Sequence, residues 1–458
     1  MSAVRRCLAL TLAFLAANPA AAVSRLSGFA PTLSEAAAVT LPAQWPVGSP
    51  EKSWARLGTA AAQSRQQLRW EYALALLSDR RASEAAAVLD VMLQDEPDLA
   101  LAAAFALARG RALIETGRSA EALEMLERPA LRGNAEACAW RLRAAADSNL
   151  LPLALQQVRC ASPALAARRS SERVPFLLPA ARTALQAGDA RLALNWLSFL
   201  PSEPAVRVAR GRALLALGRA REASAQFQRL TPSASEADRA EARLGEIQAG
   251  LARGSLAPGK AAEQLDQLLY RWRGDETEER ALWLRYDVAR RSGDPAGALA
   301  AGATLVRYHD PGARLPALAG ELRQLLSSML QPQSRVPLHQ AAGLYWEYRD
   351  IAPSGADGDA LVLALAERLQ QAGLYPRAAE LLEHQLFARA RDLAQGPLSV
   401  RVASLHILAG KPDRALEALR RTSKVLFPPP MLHARQQVEA VALHQLGRGR
   451  EALSILQD

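Results

Sequence analysis

The chain has 458 residues and a formal net charge of +10, and half of its residues are apolar while only 5% are aromatic. All but four of its 56 basic residues are arginine, the lysines being Lys52, Lys260, Lys411 and Lys424. Most of the apolar residues are Ala and Leu, a bias that favours helices over strands, and the length admits either two or three compact domains or one long solenoid.

The N-terminus sets the compartment. Arg5 and Arg6 precede an apolar run from Cys7 to Ala17 and the small residues Ala20, Ala21 and Ala22. A basic start, a short apolar core and a small-residue exit describe a secretory signal peptide over 1–22, with an uncleaved anchor as the alternative. No later stretch approaches the roughly 20 apolar residues of a membrane helix. The expectation is an exported, periplasmic protein. A basic protein outside the cytoplasm does not target intracellular nucleic acid, so acidic protein surfaces, acidic polysaccharide or an anionic membrane face are the better partners.

Residues 23–53 are rich in Ala, Pro, Ser and Gly and read as a poorly ordered arm. Leu41, Trp45 and Val47 are its candidates for strapping onto the first hairpins. Beyond it, a residue suited to a helix end is followed five positions later by alanine nine times. The pairs are Arg80/Ala85, Gly117/Ala122, Asn149/Ala154, Gly188/Ala193, Gly218/Ala223, Gly293/Ala298, Gly373/Ala378, Gly410/Ala415 and Gly447/Ala452. Gly and Asn tolerate the left-handed conformation that ends helices, and a repeat of such turns every thirty-odd residues marks stacked helical hairpins.

The ladder is regular over 54–235. It breaks between Gly218 and Gly293, where an extra helix pair fits, with a connector at Gly250–Gly259 and a helix near 261–272. Pro311, Pro316, Pro332, Pro337 and Pro353 punctuate shorter helices, so 236–360 is expected to be an irregular helical middle. Regular spacing returns over 361–458. The predicted fold is all-α: a solenoid of stacked antiparallel hairpins.

Twelve positions before the alanine, seven hairpins carry a small residue: Ala73, Gly110, Ala181, Gly211, Ala366, Ala403 and Ala440. Four positions after it, eight carry a larger apolar one: Leu89, Leu126, Val158, Leu197, Phe227, Leu382, Leu419 and Leu456. Leu142, Tyr286 and Gly302 depart from the pattern. In these positions the chain resembles the tetratricopeptide repeat family over roughly three quarters of its length. That resemblance implies a TPR-like superhelix that binds proteins or peptides. The stretch Leu344-Tyr345-Trp346-Glu347-Tyr348-Arg349 and the acidic loop at Asp357–Asp359 are similar to a region of large exported repeat proteins from alphaproteobacteria, which implies localisation and no activity.

No catalytic or metal constellation stands out, so neither an enzyme nor a cofactor is expected. The six histidines form no HExxH and no ligand set with cysteine. Asp357 and Asp359 lack the other ligands of a calcium loop, and Asp359 reads as the N-cap of a helix over Ala360–Gln371. With Cys7 in the signal, Cys138 and Cys160 remain, each eleven residues from the Asn149 turn. Residues equidistant from an antiparallel turn sit at similar heights, so the two either form a disulfide or remain small buried thiols. One pattern points to a ligand. Arg111, Arg143, Arg182 and Arg212 each follow the small position of helix A in four consecutive hairpins, where the resemblance implies a groove-facing position. Aligned guanidinium forks suit carboxylates, phosphates and sulfates, whereas arginines paired with neighbouring glutamates or laid over Ala-rich surface do not. Later the equivalent positions are Asp287 and Glu367. Trp140 and Trp196 are candidate stacking platforms or core residues. The expected function is a non-enzymatic scaffold for other envelope proteins or acidic peptides. The alternative is an accessory of polysaccharide export or wall assembly that binds an anionic polymer.

Overall fold

A computed structural model describes residues 28–230, 234–331, 333–353 and 355–457. The signal-like segment 1–22 lies outside the described residues. The chain divides at Ala249/Gly250 into two compact units, and the described residues form helices and no strand.

In the first unit, α1 (Phe29–Glu35) and α2 (Pro50–Gly58) precede five hairpins. These pair α3 (Arg65–Ser78) with α4 (Ala82–Asp95), α5 (Ala103–Glu115) with α6 (Ser119–Leu126) and α7 (Ala135–Asp147) with α8 (Leu151–Ala166). Then come α9 (Ser170–Gln186) with α10 (Ala190–Ser198) and α11 (Pro204–Ala216) with α12 (Ala220–Gln228), followed by α13 (Glu236–Ala252), which runs across the division. The second unit holds α14 (Pro258–Arg271), the pair α15 (Glu276–Ser292) and α16 (Pro295–Tyr308), and the less regular α17 (Leu315–Leu330) and α18 (Leu338–Glu347). Three hairpins complete it: α19 (Gly355–Gln371) with α20 (Tyr375–His384), α21 (Gln395–Leu408) with α22 (Pro412–Arg421), and α23 (Pro429–Gln445) with α24 (Gly449–Gln457).

All nine turn residues adopt positive φ, from 57° at Asn149 to 83° at Gly188, with Arg80 at 62°. At each, the following N–H reaches back to a carbonyl five residues earlier, as in Arg118 N to Leu113 O at 2.8 Å and Lys411 N to His406 O at 2.8 Å. This bond satisfies a helix-end carbonyl that would otherwise lack a partner. The nine alanines after the turns are all buried, from 0% exposure at Ala85 to 7% at Ala452. The turn therefore delivers its alanine to the point where the two helices of a hairpin approach most closely.

The small position on helix A works the same way between neighbours. A Cβ on Gly211 would lie 2.3 Å from the Phe227 ring, and one on Gly245 of α13 would lie 2.3 Å from it on the other side. Phe227 is thus wedged between two bare backbones. Where Gly302 replaces the bulky residue, Leu322 of α17 fills the space, 2.5 Å from where its Cβ would stand. Leu456 is 53% exposed, since no helix stacks on α24 among the described residues.

Two expectations are corrected. Residues 28–53 are not an arm without regular packing: Ala30 and Leu33 of α1 are buried, and Glu96 accepts the backbone N–H groups of Phe29 (3.2 Å) and Ala30 (2.8 Å). The division of the chain falls inside α13, and within the second unit Leu318, Leu326 and Tyr345 of the less regular helices pack with Leu282, Leu365 and Leu405 of the hairpins beside them. Finally, α19 starts at Gly355, so Asp359 lies inside the helix and is no N-cap; it pairs with Arg389 at 3.4 Å and accepts a hydrogen bond from Gln385.

Gly211→Ala should destabilise the first unit by about 1–3 kcal/mol through overpacking against Phe227. Gly218→Ala, which meets no atom within 4 Å but sits at φ 75°, should cost about 1 kcal/mol from backbone conformation alone. Denaturant unfolding of both variants checks the pair, and a neutral Gly211→Ala would show that Phe227 is not wedged.

Candidate functional site

The ladder arginines sit on successive A helices, Arg111 on α5, Arg143 on α7, Arg182 on α9 and Arg212 on α11, and the structure gives them unequal surroundings. Arg111 donates to Leu77 O at 2.7 Å and to Glu115 at 3.3 Å, and its guanidinium lies 4.8 Å from the Trp45 ring and 5.5 Å from that of Trp140. Arg143 stands 5.7 Å from the Trp140 ring and 3.6 Å from Asp147. Burial pushes the Asp147 carboxyl above its usual range, with Arg143 pulling the opposite way. Arg212 pairs with Glu241 at 2.7 Å, both side chains nearly enclosed. Arg182, half-buried, makes no ion pair among the described residues.

Arg111 illustrates a role that the ladder pattern did not reveal. Several arginines reach from an A helix to carbonyls at the end of a neighbouring helix. Arg141 donates to Leu126 O (3.0 Å), Arg210 to Leu197 O and Leu200 O (both 2.7 Å), and Arg435 to Leu419 O (2.5 Å). Burial lowers the pKa of both Arg141 and Arg435. Others open helix B with an Arg-Xaa-Xaa-Glu fork, as in Arg118–Glu121 and Arg219–Glu222. These forks are exposed, so each adds little to stability. The spacing of the forks was visible in the sequence; the reach to a neighbour's carbonyl was not.

The most organised polar cluster of the first unit lies beside Arg111. Glu136, in the first turn of α7, is completely buried. Its Oε1 accepts from Trp45 Nε1 at 2.9 Å, Trp140 Nε1 at 2.9 Å and Arg168 at 2.6 Å. Trp140 meets Phe176 edge to face at 4.9 Å, and Arg168 stacks on Phe176 at 4.4 Å. A buried carboxylate requires such partners. Trp140 and Trp196 are both buried, so neither presents a face to solvent.

Trp45 belongs to a segment that crosses the A-helix face of α3, α5 and α7. Asn134, which also caps α7, donates to Val39 O at 3.0 Å, and Ser78 contacts the backbone of Gly48. Of the three residues marked for strapping, Trp45 is half-buried, while Leu41 and Val47 are exposed, Val47 at 93%. Cys138 and Cys160 form a disulfide between α7 and α8, Cα atoms 5.7 Å apart.

In the second unit, a cleft of about 470 Å³ runs between α15 and α17, lined by Trp283, Tyr286, Asp287, Arg290, Arg314 and Glu321. The Arg314 guanidinium covers Trp283 at 3.5 Å. Tyr286, the departure from the small position, donates to Glu321 at 2.6 Å, which also pairs with Arg290 at 2.5 Å. Among the described residues no group of three or more His, Cys, Asp or Glu is placed to hold a metal ion, and no helix is long and apolar enough to cross a membrane.

No protein-family model and no curated protein matches the sequence. Among solved structures the chain is similar to the crystal structure of the P58(IPK) TPR domain, at TM-score 0.25 and 14% identity over 85% of this chain and 91% of that one. It is also similar to Naa15/Naa10 bound to HypK-THB (TM-score 0.28, 15% identity, 86% of this chain and 63% of that one). A third is the human IFIT1 dimer with PPP-AAAA (TM-score 0.28, 12% identity, 93% and 98%). The fold assignment rests on the nine turns and their packing.

Burial, then the carboxylate of Glu321, pushes the Tyr286 phenol up to about 12, against about 10 when unfolded. The neutral phenol is favoured by the fold. Its stabilisation is therefore complete below pH 10 and is lost as pH rises from 10 to 12. Spectrophotometric titration of Tyr286→Phe should show one fewer phenol ionising near 12, and a loss from the group near 10 instead would contradict the burial.

Proposed function

We propose that this protein is a non-enzymatic periplasmic scaffold that holds other proteins of a cell-envelope assembly on the A-helix face of its hairpins. The observation that carries the reading is the segment already lying there. Its backbone and its tryptophan are held by Glu96 at the end of the first hairpin, Arg111 of the second, and Asn134 and Glu136 of the third. Stacked hairpins suit this work because adjacent repeats add surface without needing a closed cavity. Export is supported by the signal-like residues 1–22, and a Cys138–Cys160 disulfide fits an oxidising compartment.

A second reading, an accessory that binds an anionic polymer for export or wall assembly, draws on Arg182 and on Arg143, whose buried Nε faces Asp147 at 3.6 Å without a hydrogen bond. Three of the four ladder arginines already face carboxylates at 2.7–3.6 Å. An incoming polymer would have to compete with those pairs, so protein binding is the stronger reading.

A photo-crosslinking residue at Arg182 should give discrete protein adducts in envelope fractions that survive polysaccharide digestion. Adducts that vanish on digestion would favour the polymer, and none at all would reject this face. In protein isolated from the native compartment, Cys138 and Cys160 should resist alkylation until reduced; ready labelling beforehand would count against export.

A further inference from the structure

We propose that the face over α3, α5 and α7 is a peptide groove whose built-in occupant is the chain's own segment 36–49. A partner segment then engages it by displacing that strap. The inference deepens the scaffold reading and rests on it, and it names the chemistry of the partner: a stretch with an apolar residue six positions before a tryptophan and a tight turn between them, as at Pro42–Gln44.

Three observations support displacement over a fixed wall of the core. The strap packs on the core at Ala38, Val39 and Trp45, and between Val39 and Trp45 its side-chain hydrogen bonds are internal, Gln44 accepting from Thr40 and Leu41. Val47 points to solvent, and the strap's side-chain hold at Glu136 and Arg111 comes from Trp45 alone. The seat also survives withdrawal. Glu136 keeps Trp140 and Arg168 on the same oxygen, and Arg111 keeps Leu77 O, Glu115 and the Trp140 ring. No buried charge is left without a partner when Trp45 leaves. Finally, the strap does not exhaust the seat. Glu136 is 0% exposed, yet its Oε2 has no hydrogen-bond partner. A competing segment that offers a second donor beside its indole gains a charge-assisted hydrogen bond that the strap does not make.

The recognition elements read two positions set apart by the 3-10 turn at Pro42–Gln44. Asn134 reads a backbone carbonyl at the apolar position, as it does at Val39 O, and Glu136 reads an indole N–H, a group with a donor and no acceptor. The Arg111 guanidinium lies over the indole, backed by the Trp140 ring. Covalent linkage gives the strap an effective concentration on the order of millimolar, so a free peptide of equal intrinsic affinity loses to it. This holds the groove closed to weak competitors and opens it to partners with more contacts.

The test uses the full chain and a fluorescent peptide of residues 36–49, followed by anisotropy. The parent should bind it weakly. Trp45→Ala should bind it at least ten-fold tighter, and the same peptide carrying Ala in place of its tryptophan should bind neither. If Trp45→Ala keeps the parent's helix content by circular dichroism and binds no better than the parent, the groove is not a binding site and the inference falls. Should that variant lose helix content, a protease site inserted after the exposed Val47 severs the strap in the folded protein. Exchange of the severed strap for labelled peptide supports the inference, and its retention without exchange overturns it. Failure here with Arg182 crosslinks intact removes this groove and leaves the scaffold reading standing.

Discussion

Each hairpin depends on a left-handed residue at the end of its first helix and an alanine five residues on. The positive φ lets the next N–H return to a helix-end carbonyl, and the chain leaves the turn antiparallel to its approach. The alanine then faces the preceding helix with no side chain beyond its methyl, so the two backbones close to contact. Nothing else in either unit would stack if these crossings were looser. The bulky residue four positions after the alanine would not fill its pocket, and the small position on the next A helix would have no neighbour to admit.

Stacking of this kind makes helix ends numerous, and with them carbonyls that need donors. Arginine meets that need here. Its reach and five donors let one side chain from an A helix serve carbonyls at and just beyond the end of the adjacent helix, as Arg210 does for Leu197 and Leu200. Lysine would offer a point charge without the fork. Much of the basic composition is therefore engaged inside the structure and in surface forks. That is why the arginine ladder, regular in sequence, does not become a uniform anionic-ligand surface.

The same face hosts the arrangement from which a function is argued. Glu136 is a charge buried in the first turn of α7, and it is tolerable because two indoles and Arg168 surround one of its oxygens. One of those indoles comes from a segment about ninety residues earlier. A non-repeat stretch of polypeptide held by side chains of several hairpins is the form of recognition that a stack of repeats can provide.

The architecture was legible in the sequence because hairpin stacking is local: turn residue, alanine and small position lie within about seventeen residues of one another, and all nine turns took the conformation their residue types allow. The structure of 28–53 was not legible, since its Ala- and Pro-rich composition resembles that of unpacked chain and its partners, Glu96, Asn134 and Glu136, are 66 to 95 residues away. Nor did spacing tell which arginine would stack between tryptophans and which would stand apart. The sequence by itself determined where helices stop and which faces meet, because backbone conformation and side-chain size act over short range. Only the tertiary structure decided how the strap lies and which charges are already paired, because those depend on contacts between segments whose separation carries no periodic signal.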